Sequence, residues 1–159
     1  MIILSLVKGG EMGTQTEASQ PWRILVVDDN KRVADIFARR FDALDCLTKV
    51  ATQLSSARRD LVEWKPHLIL LDLHMVDENW RRENEIAKKY EYITLAFCAQ
   101  VTSDPAFHNV MIAFLTIDDS YREIGLQAGA HEYFIKDELF DSEDMRKELL
   151  DKLQARNAS

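Results

Sequence analysis

The chain carries short, unbroken apolar runs, and each stops at a polar residue. Ile24-Leu25-Val26-Val27 ends at Asp28-Asp29, and Leu68-Ile69-Leu70-Leu71 ends at Asp72. Met111-Ile112-Ala113-Phe114-Leu115 ends at Thr116, and Tyr133-Phe134-Ile135 ends at Lys136. Continuous runs of this kind suit strands buried on both faces, as in a parallel sheet covered by helices. A weaker strand is predicted over Leu47 to Thr52. Between the runs the apolar spacing changes to three and four. Val33, Ile36, Phe37, Phe41 and Leu44 line one helix face, and Leu54, Ala57, Leu61 and Val62 line a second that Pro66 ends. Ile93, Phe97 and Val101 mark a third helix, and Tyr121, Ile124 and Ala128 a short one stopped by Gly129. Met145, Leu149 and Leu153 mark a closing helix. The alternation predicts an α/β fold, a doubly wound five-stranded parallel sheet with helices on both faces.

Length and charge narrow the picture. At 159 residues the chain fits one domain of roughly 100–200 residues. The folded unit is expected over 22–155, with a disordered leader over 1–21 and a short tail over 156–159. The leader is read from the small and polar stretch Gly9 to Gln20, and Met12 is a second candidate start. Its apolar run, Ile2 to Val7, is too short for a signal-peptide core, and Lys8 follows it instead of preceding it. No run approaches the ~20 apolar residues of a membrane span. The net charge of −7, from 20 basic and 27 acidic residues, argues against nucleic acid as a partner. Cys46 and Cys98 have no metal-ligand spacing and apolar neighbours, which reads as reduced structural thiols in a cytoplasmic protein. His67, His74, His108 and His131 are scattered, with no pair at metal-ligand spacing.

The chemistry gathers at the strand ends. In an open parallel sheet, ligands bind beyond the carboxyl ends of the strands. Asp28, Asp29, Asp72, Thr116 and Lys136 therefore converge on one crevice. Three carboxylates repel one another, and a hard divalent cation such as Mg²⁺ resolves that repulsion while leaving positions for water and phosphate. Lys136 and Thr116 add a positive charge and a hydroxyl donor.

These segments resemble a known family. Ile24-Leu25-Val26-Val27-Asp28-Asp29-Asn30, Pro66-His67-Leu68-Ile69-Leu70-Leu71-Asp72-Leu73-His74-Met75, Thr116, and Ala128-Gly129-Ala130-His131-Glu132-Tyr133-Phe134-Ile135-Lys136 together look like the receiver domain of two-component response regulators, from about Arg23 to Leu153. The resemblance implies the flavodoxin-like strand order 2-1-3-4-5. It implies that Asp72 is the phosphoacceptor and that Asp28, Asp29, Asp72 and the main-chain carbonyl of His74 hold Mg²⁺. It implies that Lys136 neutralises the phosphoryl group, that Thr116 bonds it, and that Tyr133 changes position when Thr116 moves. The implied donor is a sensor histidine kinase or a phosphotransfer protein. The implied reader is a downstream protein target, and the resemblance leaves room for a homodimer.

Several residues depart from the family pattern. Val76 and Asp137 stand where the family usually has prolines, and bulky Ile117 stands where it usually has a small residue lining access to the phosphorylation site. Slow phosphoryl chemistry is expected from Ile117. The interval from Thr116 to Gly129 is slightly short. The interval from Asp72 to Thr116 is long, and the surplus falls at about 77–92, beside the site. That insertion is expected to be helical, with Glu85 and Lys89 paired one turn apart, either as a solvated extension of the third helix or as a lid in which Trp80 limits access. The stretch Asp137 to Asp151 has seven acidic and two basic residues, an acidic surface suited to a basic protein partner.

After Lys136 only 23 residues remain, so a single-domain regulator without an output domain is expected. Such a protein is not an enzyme, although it assists its own phosphorylation and dephosphorylation. The alternative is a phosphorylation-independent pseudo-receiver acting as a scaffold or binding module. A phosphatase with an aspartyl nucleophile fits poorly. It would want a second acid two residues after the nucleophile, and Asp72 is followed there by His74.

Overall fold

A computed structural model describes residues 2–7 and 11–16 as backbone, and residues 20–158 with their side chains. The first two segments are β1 (Ile2–Val7) and β2 (Glu11–Thr16), paired antiparallel, with Ile2 opposite Thr16 and Val7 opposite Glu11. Both strands lie within the segment expected as the leader, 1–21.

The main sheet holds β3 (Arg23–Val27), β4 (Leu47–Ala51), β5 (Leu68–Asp72), β6 (Met111–Thr116) and β7 (Glu132–Ile135). All pairings are parallel, in the order β4-β3-β5-β6-β7, which is the expected 2-1-3-4-5. The helices are α1 (Lys31–Asp42), α2 (Leu54–Glu63), α3 (Glu78–Glu83), α4 (Ile93–Thr102), α5 (Arg122–Gln127), α6 (Lys136–Asp141) and α7 (Glu143–Asn157). Successive strand residues point to opposite faces. Ile24, Val26, Leu68, Leu70, Ala113 and Leu115 pack with Phe37 and Phe41 of α1, Leu139 of α6, and Leu149 and Leu153 of α7. Leu25, Val27, Ile69, Leu71, Ile112 and Phe114 pack with Leu54 and Leu61 of α2, Trp80 of α3, and Phe97 and Val101 of α4. Each face of the sheet therefore has its own core.

Two departures bear on the site. First, α6 begins at Lys136 itself, directly where β7 stops. Apolar periodicity could not show it, because it buries only Leu139; Asp137 and Glu138 suit its N-terminal end electrostatically. Ser142 then caps α7, its hydroxyl accepting from the Met145 N–H at 3.0 Å. Second, the insertion is not one helical extension. Asn84 is extended (φ −124°, ψ 111°) and separates α3 from a 3₁₀ turn over Glu85–Lys89. A 3₁₀ turn aligns residues three apart. Glu85 accordingly pairs with Lys88 at 2.9 Å, not with Lys89.

The insertion is tied to the body at several points. One carboxylate oxygen of Asp77 accepts from the Trp80 N–H at 3.0 Å. Its other oxygen accepts from the Leu54 N–H at 2.8 Å, so it caps α2, whose own Gln53 makes no capping bond. Trp80 is 4% exposed and meets the Phe97 ring edge-on at 6.1 Å. It is thus a core residue holding α3 down, not a residue standing free over the site. With Ala87 also buried and Ile86, Tyr90 and Tyr92 packed alongside, the insertion sheathes α4, where none of the ten residues is exposed. Trp80→Ala is expected to lower stability by about 3–5 kcal/mol, measured by urea unfolding, as for a large core aromatic. An effect within about 0.5 kcal/mol would mean a surface residue.

Candidate functional site

Register brings the chemical residues together. Val27 lies opposite Leu71, so the next residues, Asp28 and Asp72, are neighbours beyond the sheet edge. Asp72 lies opposite Leu115, and Thr116 opposite Ile135, one residue before Lys136. Four strands therefore deliver their terminal residues to one crevice. Within it, one carboxylate oxygen from each of Asp28, Asp29 and Asp72 lies within 4.8 Å of the others. Asp28 and Asp72 are buried and Asp29 is exposed.

One cation meets these charges. The Lys136 ammonium donates to Asp28 Oδ2 at 2.9 Å and lies 3.1 Å from Asp72 Oδ1. Burial pushes the Asp72 carboxyl above the usual carboxylate range. Lys136 opposes that, and the Asp28 charge adds to it. Burial alone would lower the pKa of Lys136, but the Asp72 and Asp28 carboxylates overcome it and hold the ammonium above its ordinary value. Backbone N–H groups hold the carboxylates as well, and at Asp72 the N–H shares the oxygen that faces Lys136. Asn30 donates to Asp28 Oδ1 at 2.8 Å, His74 to Asp72 Oδ1 at 3.2 Å, and Val76 to Asp29 Oδ2 at 3.1 Å. The last bond fastens the β5 loop to the β3 loop.

A single ammonium leaves three carboxylates under-compensated, and their oxygens are close enough to share one ion. This donor set of hard oxygens fits a divalent cation of the Mg²⁺ type. Thr116 Oγ1 is buried at the same edge with no hydrogen-bond partner. A buried hydroxyl without a partner is costly, and an incoming anionic oxygen would satisfy it.

The other sequence-predicted residues are placed as follows. The Tyr133 ring is buried; its hydroxyl donates to the Asp118 carbonyl at 2.5 Å and accepts from the Tyr121 N–H at 3.3 Å. Ile117 is 71% exposed and borders a shallow cleft of about 370 Å³ with Phe37, Phe140 and Lys136. Trp80 is not part of this group. Both thiols are free and buried, and burial pushes Cys46 up to about 11 and Cys98 up to about 12, values of inert groups. His67 and His131 accept through Nδ1 from the Arg23 and Ile112 N–H groups, each at 3.0 Å, which is a structural use at the strand starts.

Sequence reasoning passed over Tyr92 and Tyr121. With His74 they form a cluster of three rings, all edge-on: His74 to Tyr121 at 4.8 Å, His74 to Tyr92 at 5.3 Å, and Tyr92 to Tyr121 at 5.6 Å. These residues come from three separate loops, so no spacing pattern joins them. Their only signal was an aromatic residue on each chain segment leading to or from the strand ends.

No protein-family model matches the chain. A 54-residue stretch is 33% identical to the uncharacterized transcriptional regulatory protein YvcP of Bacillus subtilis (strain 168), covering 34% of this chain and only 23% of that one. Solved structures agree over most of the chain. The CheY-like response regulator receiver domain protein of Methanospirillum hungatei JF-1 covers 87% of this chain and 98% of its own, with a TM-score of 0.68 at 17% identity. The signal receiver domain of a DNA binding response regulator from Colwellia psychrerythraea 34H covers 82% and 98%, with 0.63 at 23% identity. A chemotaxis protein of Vibrio cholerae, CheY4, covers 84% and 99%, with 0.65 at 15% identity. The fold is that of the CheY-like receiver domains.

A carboxyl with a raised folded-state pKa adds stability only below its unfolded value and withdraws it as the pH rises through the folded one. Charged Asp72 therefore costs stability at neutral pH when no cation is present. In EDTA, Asp72→Asn is expected to melt above the parent near neutral pH, with the gap closing toward acid. Paired thermal melts across that range check it, and a gap that widens toward acid would reverse the sign.

Proposed function

We propose that this receiver fold works as a phosphoacceptor in two-component signalling. Asp72 takes a phosphoryl group from a phosphohistidine on a sensor histidine kinase or phosphotransfer protein, and a downstream protein reads the altered surface. One observation supports this above the others. The same crevice holds a carboxylate cluster bridged by Lys136 and a buried hydroxyl, Thr116 Oγ1, without a partner.

In the transfer, an Asp72 carboxylate oxygen attacks phosphorus. The P–N bond of the donor imidazole breaks, its electron pair stays on nitrogen, and that nitrogen takes up a proton. Loss of the group reverses the roles. Water attacks phosphorus, the bond to the Asp72 oxygen breaks, and inorganic phosphate leaves. Lys136, already against Asp72, pairs with the developing negative oxygens. Thr116 donates its hydroxyl to an oxygen of the attached group. Asp28, Asp29 and Asp72, with the His74 carbonyl, would hold Mg²⁺, which when bound supplies charge neutralisation at the phosphoryl oxygens. The protein acts in the cytoplasm as a signalling component and not as a turnover enzyme.

A second reading, a scaffold indifferent to phosphorylation, draws on one observation: the Tyr133 hydroxyl is already bonded inward. One experiment separates the two. With Mg²⁺ and acetyl phosphate, the parent is expected to gain the mass of one phosphoryl group, and Asp72→Asn is expected to gain none. An unmodified parent, with no tryptophan fluorescence change on adding beryllofluoride and Mg²⁺, would favour the scaffold.

Ile117 follows Thr116 and shares a cleft with Lys136, and in this reading its branched side chain hinders the water that attacks phosphorus. Ile117→Ala is expected to speed loss of the aspartyl phosphate about ten-fold, equivalent to roughly 1.4 kcal/mol of barrier. The decay of the phosphorylated mass after donor removal measures it, and an unchanged rate would show that Ile117 does not limit access.

A further inference from the structure

We infer that the 77–92 insertion is a brace for the loop that follows Thr116 at the end of β6, with Tyr92 and His74 as positioning residues for the phosphoryl chemistry. The inference rests on the reading of Asp72 and Thr116 given above. It starts from two facts about the insertion. The N-terminal part is fixed to the body by Trp80 in the core and by Asp77 on α2. The far end, Tyr92, reaches the site and closes edge-on against both His74 and Tyr121.

From there the contacts are continuous. His74 lies two residues after Asp72, and its backbone N–H is bonded to the Asp72 carboxylate. Its ring is held between the two tyrosines, and its Nε2 is buried without a partner, so packing and not hydrogen bonding fixes its orientation. Tyr121 is the last residue of a single turn over Asp119–Tyr121, in the loop that begins at Thr116. The Tyr121 N–H bonds the Tyr133 hydroxyl, and that hydroxyl bonds the Asp118 carbonyl. The Arg122 guanidinium covers the Tyr133 ring at 4.9 Å. The loop between Thr116 and α5 is thus pinned from inside by Tyr133 and from outside by the aromatic cluster. Thr116 Oγ1 waits at its start, buried and unpartnered.

The loop is short and carries few apolar anchors of its own: Ile117 is exposed, and Asp118 to Ser120 are exposed too. Without Tyr92 it would sample other positions, Tyr133 would lose its inward bonds, and only a fraction of molecules would present Thr116 correctly. Edge-on ring pairs are individually modest, yet Tyr92 makes two of them. Losing both shifts the loop equilibrium by about ten-fold, and the apparent rate of phosphorylation falls with the competent fraction.

The test uses the full chain with 3-fluorotyrosine at its four tyrosines, the ¹⁹F signals being assigned by single Tyr→Phe variants. In the parent, the Tyr133 signal is expected at one buried position, moving little on adding Mg²⁺ and beryllofluoride. In Tyr92→Leu it is expected to shift or broaden in the free protein and to return with beryllofluoride. Tyr92→Phe keeps both ring contacts but loses the hydroxyl bond to Tyr121, and is expected to fall between the parent and Tyr92→Leu. His74→Leu offers a second route to the same release, should Tyr92→Leu fold poorly. Phosphorylation by acetyl phosphate is expected to slow about ten-fold in Tyr92→Leu, with partial rescue in Tyr92→Phe. A parent-like Tyr133 signal in free Tyr92→Leu and His74→Leu would overturn the brace. A released Tyr133 signal that beryllofluoride does not restore would support the brace and count instead against the phosphoacceptor reading.

Discussion

The contact between Lys136 and the two buried carboxylates, Asp28 and Asp72, is the constraint around which the site end of the molecule is arranged. A parallel sheet has no choice about polarity. Every strand ends at the same edge, so acidic residues closing neighbouring strands are forced together. Lys136 joins the first and third strands of the sheet's chain order from the end of the fifth. It does so because β7 gives way to helix at that residue, which lets the side chain turn inward. Burial keeps the pairing strong and also makes it incomplete. A single ammonium cannot neutralise three carboxylates, and the remaining negative field favours a cation over a closed, inert ion pair.

Much of this was legible in the residues. Runs buried on both faces mark β3, β5 and β6, and the less buried β4 and β7 also lie where the sequence predicts strands. The polar residue ending each run then locates the crevice. Short elements were harder to read. The helix starting at Lys136 buries one leucine, too little to leave a period. The break at Asn84 depends on a single extended residue, and the helix-forming composition around it points the other way. Trp80 was legible as important but not as buried, because the direction of an isolated aromatic depends on what packs above it. The ring cluster of His74, Tyr92 and Tyr121 joins three loops, and such meetings are a property of the assembled chain alone.

The same difference separates the conserved-looking geometry of a fold from the individuality of a protein. Strand order and overall fold are what this chain shares with the receiver structures it resembles. The segment between β5 and α4 is not loosely attached. Asp77 ends one helix's unsatisfied N–H group from a distant position, and Trp80 and Ala87 fill the core beneath. Removing the segment would therefore unseat α2 and uncover α4 together, so it belongs to the folding unit as fully as any strand.

The encasement of α4 has a wider consequence. A partner protein recognises shape and charge that it can touch, and α4 offers only the half-buried Ala99, Gln100 and Thr102. What faces outward in its place is the alternating-sign exterior of the insertion, including Arg81, Glu83, Glu85 and Lys89. Surface substitutions on this segment would change the charge displayed over α4 while leaving the sheet and the crevice behind it in place.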